Sequence, residues 1–283
     1  KQLNLFLELT RLKRPIGYML LFWPCLWGLT IAYDFSMSIQ FFMKYALLFF
    51  LGAILMRSAG CIVNDIFDKN FDSKVERTKN RPIASGDISI KLGLFYVLIL
   101  CGIAFIVLMQ FNFFTIILAL ASMPLAFAYP LMKRFTYWPQ LFLGVTFNYG
   151  LILGWTSINS EISIVPMIFY LGAIFWTLGY DTIYGFQDIK DDEIIGVKST
   201  SIKFKKNPKF FILLCYLVFI VILTYLGILM NFNKIYFGGL ILIAMHLFIF
   251  QVKNLNINLN SNCLKIFKSN NFFGLMLFFV ILL

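Results

Sequence analysis

Long apolar segments alternate with short polar ones along the whole chain. A transmembrane helix needs about 20 consecutive, mostly apolar residues, and nine segments approach that length. They cover roughly residues 16–34, 40–63, 92–110, 112–130, 138–157, 164–186, 209–230, 234–252 and 266–283. The pattern predicts an all-α polytopic membrane protein, in which residues 1–283 form a single domain: a bundle of about nine transmembrane helices.

The composition agrees with a membrane protein. Of the 283 residues, 60% are hydrophobic and 13% are charged, and the mean hydropathy is +0.84. Soluble domains carry about 25% charged residues. Five scattered cysteines without a CxxC pair argue against a disulfide framework, and the single histidine, His246, argues against a zinc or haem site.

The basic residues predict an orientation in the membrane. Lysine and arginine accumulate in the cytoplasmic loops of membrane proteins. With nine spans, 21 of the 24 basic residues fall on one side, two on the other, and Arg57 lies inside the second span. We expect a bacterial inner-membrane protein, and this bias predicts that its N-terminus and two long polar loops, 64–91 and 187–208, face the cytoplasm. The bias also explains the net charge of +11 without a nucleic-acid partner.

Ten of the 13 carboxylates form two clusters, the first at the end of the second predicted span. Asn64, Asp68 and Asp72 follow one another at four-residue spacing, with Asp65 beside them, so on a helix they share one face. Carboxylates stacked in this way repel one another unless a cation neutralises them. Mg²⁺ prefers oxygen ligands and bridges carboxylates to substrate phosphates, so the cluster predicts a magnesium and polyphosphate site.

The second cluster follows the sixth predicted span. Asp181, Tyr184, Asp188 and Asp192 are spaced by three, four and four residues, which again predicts one helical face. One acidic stretch alone would fit a solvated loop. Two such stretches on the same side of the membrane favour a site, because acids at membrane depth are costly and mark function.

Basic residues complete the predicted pocket. Arg57 lies two helical turns before Asn64 on the same face, where a guanidinium needs a partner. It either forms a structural ion pair with Asp65 or Asp68, or binds a phosphate or a carboxylate of the substrate. Lys69, Arg77, Lys79 and Arg81 follow the first cluster, Lys133 and Arg134 close the fourth predicted span, and Lys198 follows the second cluster.

Together these features favour a particular chemistry. Diphosphate is a good leaving group once a metal neutralises its charge, and an allylic C–O bond breaks to give a stabilised carbocation. An aromatic acceptor in an apolar cavity could capture that cation, and aromatic side chains could shield it.

Residues 64–72 (NDIFDKNFD) resemble the NDxxDxxxD motif of the UbiA superfamily of intramembrane aromatic prenyltransferases. The flanking segments are also similar: RPIG at 14–17, YPLMKR at 129–134, and the stretch from Tyr180 through Asp192 to Thr200. That last stretch is similar to the second motif of the branch that prenylates 4-hydroxybenzoate. The resemblance runs from about residue 8 to residue 206.

The resemblance implies a nine-helix bundle around a central cavity that opens to the bilayer. It implies catalytic, Mg²⁺-binding carboxylates at Asp68, Asp72, Asp188 and Asp192, with Asn64 as a further metal ligand. It implies substrate binding by Arg57, Asn64, Arg77, Tyr129, Lys133, Arg134, Tyr184 and Lys198. Tyr184 stands where some members carry Asp, which leaves a direct role of Asp181 open.

The implied activity is transfer of a polyprenyl chain from polyprenyl diphosphate to the ring of 4-hydroxybenzoate, as in ubiquinone synthesis. The alternatives are a prenyltransferase of the same fold that uses haem or a naphthoate, and a cation-coupled transporter. A transporter fits less well, because its acidic residues tend to lie in the middle of the membrane, whereas both clusters here follow the ends of spans. The sequence leaves the oligomeric state open.

Overall fold

The computed structural model of the chain describes residues 2–73 and 78–283. All secondary structure within these two ranges is helical. Glu76 and Arg77 lie outside the described residues. The α-helices are α1 (Gln2–Leu9), α2 (Ile16–Ala32), α3 (Ile39–Asp72), α4 (Ile90–Leu108), α5 (Phe113–Ala128), α6 (Met132–Phe135), α7 (Pro139–Asn159), α8 (Ile164–Gly185), α9 (Ile189–Ile195), α10 (Thr200–Lys203), α11 (Pro208–Leu229), α12 (Lys234–Met245) and α13 (Asn260–Leu282).

The nine predicted spans match the long helices of the described chain. Eight helical units are long and apolar enough to cross a membrane, and α2, with 17 residues, is a shorter apolar helix. Two of the eight units are composite. A 3-10 turn, Tyr129–Leu131, joins α5 to α6, and a π-helix, His246–Lys253, continues α12. The predicted all-α bundle of about nine transmembrane helices is confirmed.

Helix α2 lies at the centre of the bundle, where it packs against α3, α7 and α13. Its two tryptophans are buried, and each donates its indole N–H to α13. Trp23 Nε1 donates to Asn271 Oδ1 and Trp27 Nε1 to the Gly274 carbonyl oxygen, both at 3.0 Å. An indole N–H buried at membrane depth needs such an acceptor, so these bonds fix α13 against the first span.

Helices α2 and α7 cross with their backbones in contact. A Cβ atom added to Gly28 would lie 2.0 Å from the Leu151 carbonyl oxygen, and one on Gly154 would lie 2.3 Å from the Cys25 carbonyl oxygen. Small residues permit this close approach, which is the usual basis of helix association in membranes. The crossing places α7 beside α2 and so forms one wall of the cavity described below.

A buried polar network joins the helices of the second half. Gln251, within the π-helix, accepts from the Tyr216 hydroxyl at 2.6 Å and donates to Asn270 Oδ1 at 3.1 Å. The indole of Trp176 donates to the same Asn270 oxygen at 3.0 Å. These bonds satisfy polar groups that have no access to water and tie α8, α11 and α13 together.

Candidate active site

The first acidic cluster forms the last turns of α3. This helix continues to Asp72, nine residues beyond the predicted end of the span at residue 63. Asp65, Asp68 and Asp72 are all buried, with 3%, 2% and 8% of their surface exposed, and Asn64 is half-buried. The four side chains therefore project from one continuous helix, as their spacing predicts.

Two arginines neutralise part of this cluster. Arg11 Nη2 donates to Asp65 Oδ1 at 2.6 Å, and Arg81 Nη1 donates to Asp65 Oδ1 at 3.2 Å and to Asp72 Oδ2 at 2.7 Å. Charge-assisted bonds of this kind favour the ionised form of a carboxylate, which burial opposes. Burial opposes the charge on Arg11, but the nearby Cys61 and Asp65 raise the pKa of its guanidinium above the ordinary value, so Arg11 stays charged as well.

Asp68 is bound through one of its two carboxylate oxygens. Lys133 Nζ and Asn64 Nδ2 both donate to Oδ2, the amide at 3.1 Å. Oδ1 is buried and has no hydrogen-bond partner among the described residues. A buried carboxylate oxygen without a partner costs free energy, so this atom marks a place for a cation.

The cluster suits a Mg²⁺ ion that binds together with a substrate phosphate, rather than an ion held by protein ligands alone. In the described ranges, no three His, Cys, Asp or Glu side chains come close enough together to hold a metal ion between them. Mg²⁺ commonly takes only one or two carboxylates and completes its octahedral shell with water and substrate phosphates. The unpartnered oxygen of Asp68 fits that arrangement.

The second cluster does not form the single helical face that its spacing predicts; that prediction is wrong. Helix α8 ends at Gly185, the chain leaves the helical path, and Asp188 stands at the start of the separate helix α9. At this end α8 packs closely against α10, since a Cβ atom on Gly185 would lie 2.3 Å from Ser201 Oγ. Asp181 and Tyr184 therefore belong to α8, whereas Asp188 and Asp192 belong to the start of α9.

Helix α8 brings part of the second cluster close to Arg57 of α3. Asp181 is half-buried and lies within electrostatic range of the Arg57 guanidinium. Tyr129 and Tyr184 lie within the same range of Arg57. Asp181 and Tyr184 thus lie near Arg57, whereas a joint metal site of the two acidic motifs stays a prediction.

Arg57 does not form the ion pair with Asp65 or Asp68 that the sequence left open. Those carboxylates bind Arg11, Arg81 and Lys133 instead, and no described carboxylate lies within ion-pair distance of the Arg57 guanidinium. The guanidinium lies over the Phe147 ring, 5.4 Å from its centroid. It also borders Gly17, where a Cβ atom would lie 2.8 Å from Nε. A half-buried cation thus remains available to a ligand.

An apolar cavity of about 310 Å³ extends from Arg57 into the bundle. Its walls come from α2, α3, α4, α5 and α7 and consist almost entirely of aliphatic and aromatic side chains. Arg57 and Tyr129 lie at its polar end. A ligand with a charged head and a long apolar tail fits this shape, because the head would lie at the acidic motifs and the tail among the hydrocarbon side chains.

Two of the predicted basic residues lie beside the site and hold neighbouring segments of chain. Arg134 Nη2 donates to the Phe67 carbonyl oxygen at 2.8 Å, and Lys198 Nζ donates to the Phe135 carbonyl oxygen at 3.3 Å. Lys133 contacts Asp68 directly. Arg77, for which the resemblance implies substrate binding, lies outside the described residues.

Sequence reasoning missed three contributors to the site. From the sequence, Arg11 is recognised only as a basic residue on the cytoplasmic side, and Arg81 only as one of several basic loop residues. Gly17 is recognised only as part of the RPIG segment that resembles the family. Arg11 adopts a left-handed backbone conformation with φ of 56°, which is uncommon for a residue other than glycine. No local sequence pattern predicts that conformation.

Comparison with protein families and solved structures agrees with this architecture. Residues 21–279 match the family model described as the UbiA prenyltransferase family. The chain is 40% identical to the mitochondrial 4-hydroxybenzoate polyprenyltransferase of Caenorhabditis elegans, over 96% of this chain and 76% of that protein. It is 41% identical to 4-hydroxybenzoate geranyltransferase 1 of Lithospermum erythrorhizon, over 100% of this chain and 91% of that protein.

Solved structures of low sequence identity share the fold. A UbiA homologue from Aeropyrum pernix K1 superposes with a TM-score of 0.73 at 21% identity, covering 94% of each chain. A UbiA homologue from Archaeoglobus fulgidus bound to GPP and Mg²⁺ superposes with a TM-score of 0.69 at 17% identity, covering 99% of this chain and 100% of that chain.

Proposed function

This chain belongs to the UbiA prenyltransferase family, and we propose that it transfers a polyprenyl chain from polyprenyl diphosphate to the ring of 4-hydroxybenzoate, releasing diphosphate. The observation that carries the proposal is the position of Arg57. It is a cation with no described carboxylate within ion-pair distance, it lines an apolar cavity, and the first acidic motif follows it on α3. A relative at 40% identity is named 4-hydroxybenzoate polyprenyltransferase, and one at 41% identity is named 4-hydroxybenzoate geranyltransferase 1.

The acidic motifs would hold the diphosphate end of the donor. Asp68, with its unpartnered Oδ1, Asp72 and Asn64 from α3, together with Asp188 and Asp192 from α9, are the oxygen ligands that we assign to Mg²⁺. When bound, Mg²⁺ would neutralise the negative charge that develops on the leaving diphosphate.

Basic residues around the motifs would bind the phosphate oxygens. Lys133 already contacts Asp68 at the site, and we assign it to the diphosphate together with Arg77. Arg134 and Lys198, which hold the chain beside the site through the Phe67 and Phe135 carbonyl oxygens, would support that role at the rim. Arginine suits phosphate because its planar fork can donate two parallel hydrogen bonds.

Arg57 would bind the carboxylate of the acceptor. Its guanidinium offers a bidentate contact to a planar carboxylate, and its place over Phe147 keeps the aromatic acceptor against an apolar wall. Tyr129 and Tyr184 interact electrostatically with Arg57 and would lie around the acceptor ring. The acceptor would thus be held by its carboxylate, with its ring turned towards the donor.

The reaction is then a substitution on the ring. The allylic C–O bond of the donor breaks, the ring carbon ortho to the hydroxyl forms the new C–C bond, and that carbon loses its proton. Tyr129 and other aromatic side chains that line the cavity would face the allylic cation and stabilise it through their π-electrons. The apolar walls would keep water from capturing it.

The chain is an integral membrane protein, and we propose that its acidic motifs face the cytoplasm in a bacterial inner membrane. The contacts Arg11–Asp65 and Lys133–Asp68 place the start of α2 and the ends of α3 and of the α5–α6 unit at the same end of the bundle. That is the end where the basic residues accumulate. The product would enter ubiquinone synthesis.

A panel of acceptors tests this function. Membranes that contain the protein are incubated with Mg²⁺, a radiolabelled polyprenyl diphosphate and 4-hydroxybenzoate, phenol, a dihydroxynaphthoate or haem, and lipid-extractable aromatic product is measured. We expect product with 4-hydroxybenzoate and at least about a tenfold lower kcat/KM with phenol, which lacks the carboxylate for Arg57. Product with naphthoate or haem alone would contradict the proposed acceptor, and control membranes without the protein set the background.

A further inference from the structure

Asp65 is the carboxylate of the first motif to which no metal-binding role is assigned above. It is buried, with 3% of its surface exposed, and one of its oxygens, Oδ1, accepts hydrogen bonds from two guanidinium groups. The donor atoms are Arg11 Nη2 at 2.6 Å and Arg81 Nη1 at 3.2 Å. Arg11 follows α1 and Arg81 lies in the loop after α3, so a single buried oxygen joins two separate segments of chain to the end of α3.

Apolar packing also anchors both segments to α3. Leu9, two residues before Arg11, and Ile83, two residues after Arg81, are fully buried in one cluster with Ile62 of α3. Arg11 itself keeps a left-handed backbone, with φ of 56°, a conformation that persists in a residue other than glycine only where the surrounding structure fixes it. The two guanidinium groups are therefore held in place rather than carried on free loops.

Arg81 also contacts a carboxylate that we assign to Mg²⁺. Its Nη1 atom donates to Asp72 Oδ2 at 2.7 Å. Because Mg²⁺ bridges carboxylates to substrate phosphates, a diphosphate that shares the ion with Asp72 would lie close to Arg81. The described hydrogen bonds use one terminal nitrogen of each guanidinium, and a guanidinium carries five N–H donors on three nitrogens. Donors thus remain on both arginines for phosphate oxygens.

Asp65 keeps this pair of cations together when the metal binds. A Mg²⁺ ion at Asp72 competes with Arg81 for that carboxylate, whereas Asp65 retains its charge for Arg81 and Arg11. Without the carboxylate between them, two like charges at this distance repel one another. A buried anion beside the metal ligands therefore has a use other than binding metal.

We propose that Asp65 is a positioning residue, which holds the guanidinium groups of Arg11 and Arg81 side by side for the diphosphate of the allylic donor. This inference rests on the proposed prenyl transfer and adds to it two phosphate-binding arginines and their shared anchor. Asp65 would contact neither metal nor substrate and would act through the two arginines.

The first test is the affinity of a non-reactive thiodiphosphate analogue of the donor, measured with Mg²⁺ for Asp65→Asn, Arg81→Gln and the unaltered protein. Asp87→Asn is the matched control, since Asp87 is an exposed carboxylate in the same loop. We expect the dissociation constant to rise at least about tenfold in the first two variants, which weaken charge-assisted hydrogen bonds to phosphate, and to stay within about twofold in Asp87→Asn. In the transfer assay the KM for the donor should rise, while the KM for 4-hydroxybenzoate changes little.

A comparison of combined variants distinguishes positioning from direct metal binding. If Asp65 acts through the arginines, Asp65→Asn should cause no further loss of affinity once Arg11 and Arg81 are both replaced by Gln, whereas independent contributions would multiply. The Mg²⁺ concentration for half-maximal activity at saturating donor should equal that of the unaltered protein. A further loss in the arginine-free background, or a raised Mg²⁺ requirement, would overturn the inference and make Asp65 a metal ligand.

The binding measurement also separates this inference from the proposed function. If the analogue binds but no acceptor is prenylated, the proposed transfer fails, while the ratios of affinity still decide the role of Asp65. Unchanged affinity in Asp65→Asn, with thermal stability close to that of the unaltered protein, would overturn the inference. If Asp65→Asn does not accumulate, Arg11→Gln decides instead, because it keeps the contact between Arg81 and Asp65. A tenfold loss of affinity in that variant supports the inference, and unchanged affinity overturns it.

Discussion

Three neighbours of different chemical character surround the Arg57 side chain: a glycine, an aromatic ring and a carboxylate. Gly17 leaves room for its guanidinium, the Phe147 ring supports one of its faces, and Asp181 interacts with its charge from α8. A guanidinium at membrane depth is costly unless it is paired or solvated. Because Asp65 and Asp68 are engaged by other cations, the acceptor carboxylate is the partner that completes this site in our account.

Arg57→Lys should weaken binding of the acceptor and leave binding of the donor nearly unchanged. The substitution keeps the positive charge but removes the bidentate fork, and the loss of one charge-assisted hydrogen bond is worth about 1.5–3 kcal/mol. We expect the KM for 4-hydroxybenzoate to rise at least about tenfold, while the KM for the prenyl diphosphate changes little.

Gly17→Ala should act in the same direction, because the new Cβ atom would displace Nε of Arg57. A rise in the KM for the donor alone would instead assign Arg57 to the diphosphate. Loss of protein accumulation without a change in either KM would show that Arg57 is structural.

The sequence indicated the importance of Arg57, Asp68 and Asp72 because local spacing relates these residues along one helix. It could not indicate Arg11 or Arg81 as partners of Asp65. Arg11 lies 54 positions and Arg81 lies 16 positions from Asp65 in the sequence. Both contacts depend on how α2 and the loop after α3 pack against the end of α3. The partners of a charge are fixed by tertiary packing, which residue spacing alone does not encode.

The two acidic motifs are carried by different kinds of element. In the first, one helix carries Asn64, Asp68 and Asp72 in successive turns. In the second, α8 ends and α9 begins, so the 3.6-residue period is interrupted before Asp188. The Asp192 N–H donates to the Asp188 carbonyl oxygen at 2.8 Å, which keeps these two acids one turn apart on α9. Asp191 instead lines a separate surface pocket with Lys190 and Asn258.

Asp188→Ala should therefore cost far more activity than Asp191→Ala. The first substitution removes a group assigned to the metal, and we expect kcat to fall at least about a hundredfold. The second removes a side chain that lines a separate surface pocket, and we expect a loss of less than about threefold. The rates are measured at matched protein levels. Equal losses would show that the orientation of α9 is not what separates these two acids in function.

At the scale of the whole molecule, hydropathy was sufficient to predict the number and order of the membrane helices. The bilayer sets a length that every span must reach, so the apolar segments translate into helices with small shifts at their ends. Hydropathy does not predict which helices pack against one another. That α2 lies against α3, α7 and α13 depends on residues such as Gly28 and Trp27, whose meaning appears only once the partner helix is known.

Both acidic motifs should be accessible from the cytoplasm only. Single cysteines replace Asn80 and Asn207, two exposed residues that follow the motifs, in a background without the native cysteines. They should resist an impermeant thiol reagent in intact cells and react once the membrane is opened. Ser36→Cys, in the exposed turn between α2 and α3, is the control and should react in intact cells. The reverse pattern would contradict the orientation that the basic residues predict.

The central claim is that the acidic motifs act through a divalent cation on a diphosphate. The most direct measurement is the rate of formation of prenylated 4-hydroxybenzoate with Mg²⁺, after addition of EDTA, and after Mg²⁺ is restored in excess. We expect EDTA to abolish product, Mg²⁺ to restore it, and Asp68→Asn, which loses the anionic oxygen at the site, to remain at least about a hundredfold slower at any Mg²⁺ concentration. Undiminished turnover in EDTA, or full activity of Asp68→Asn, would contradict the account.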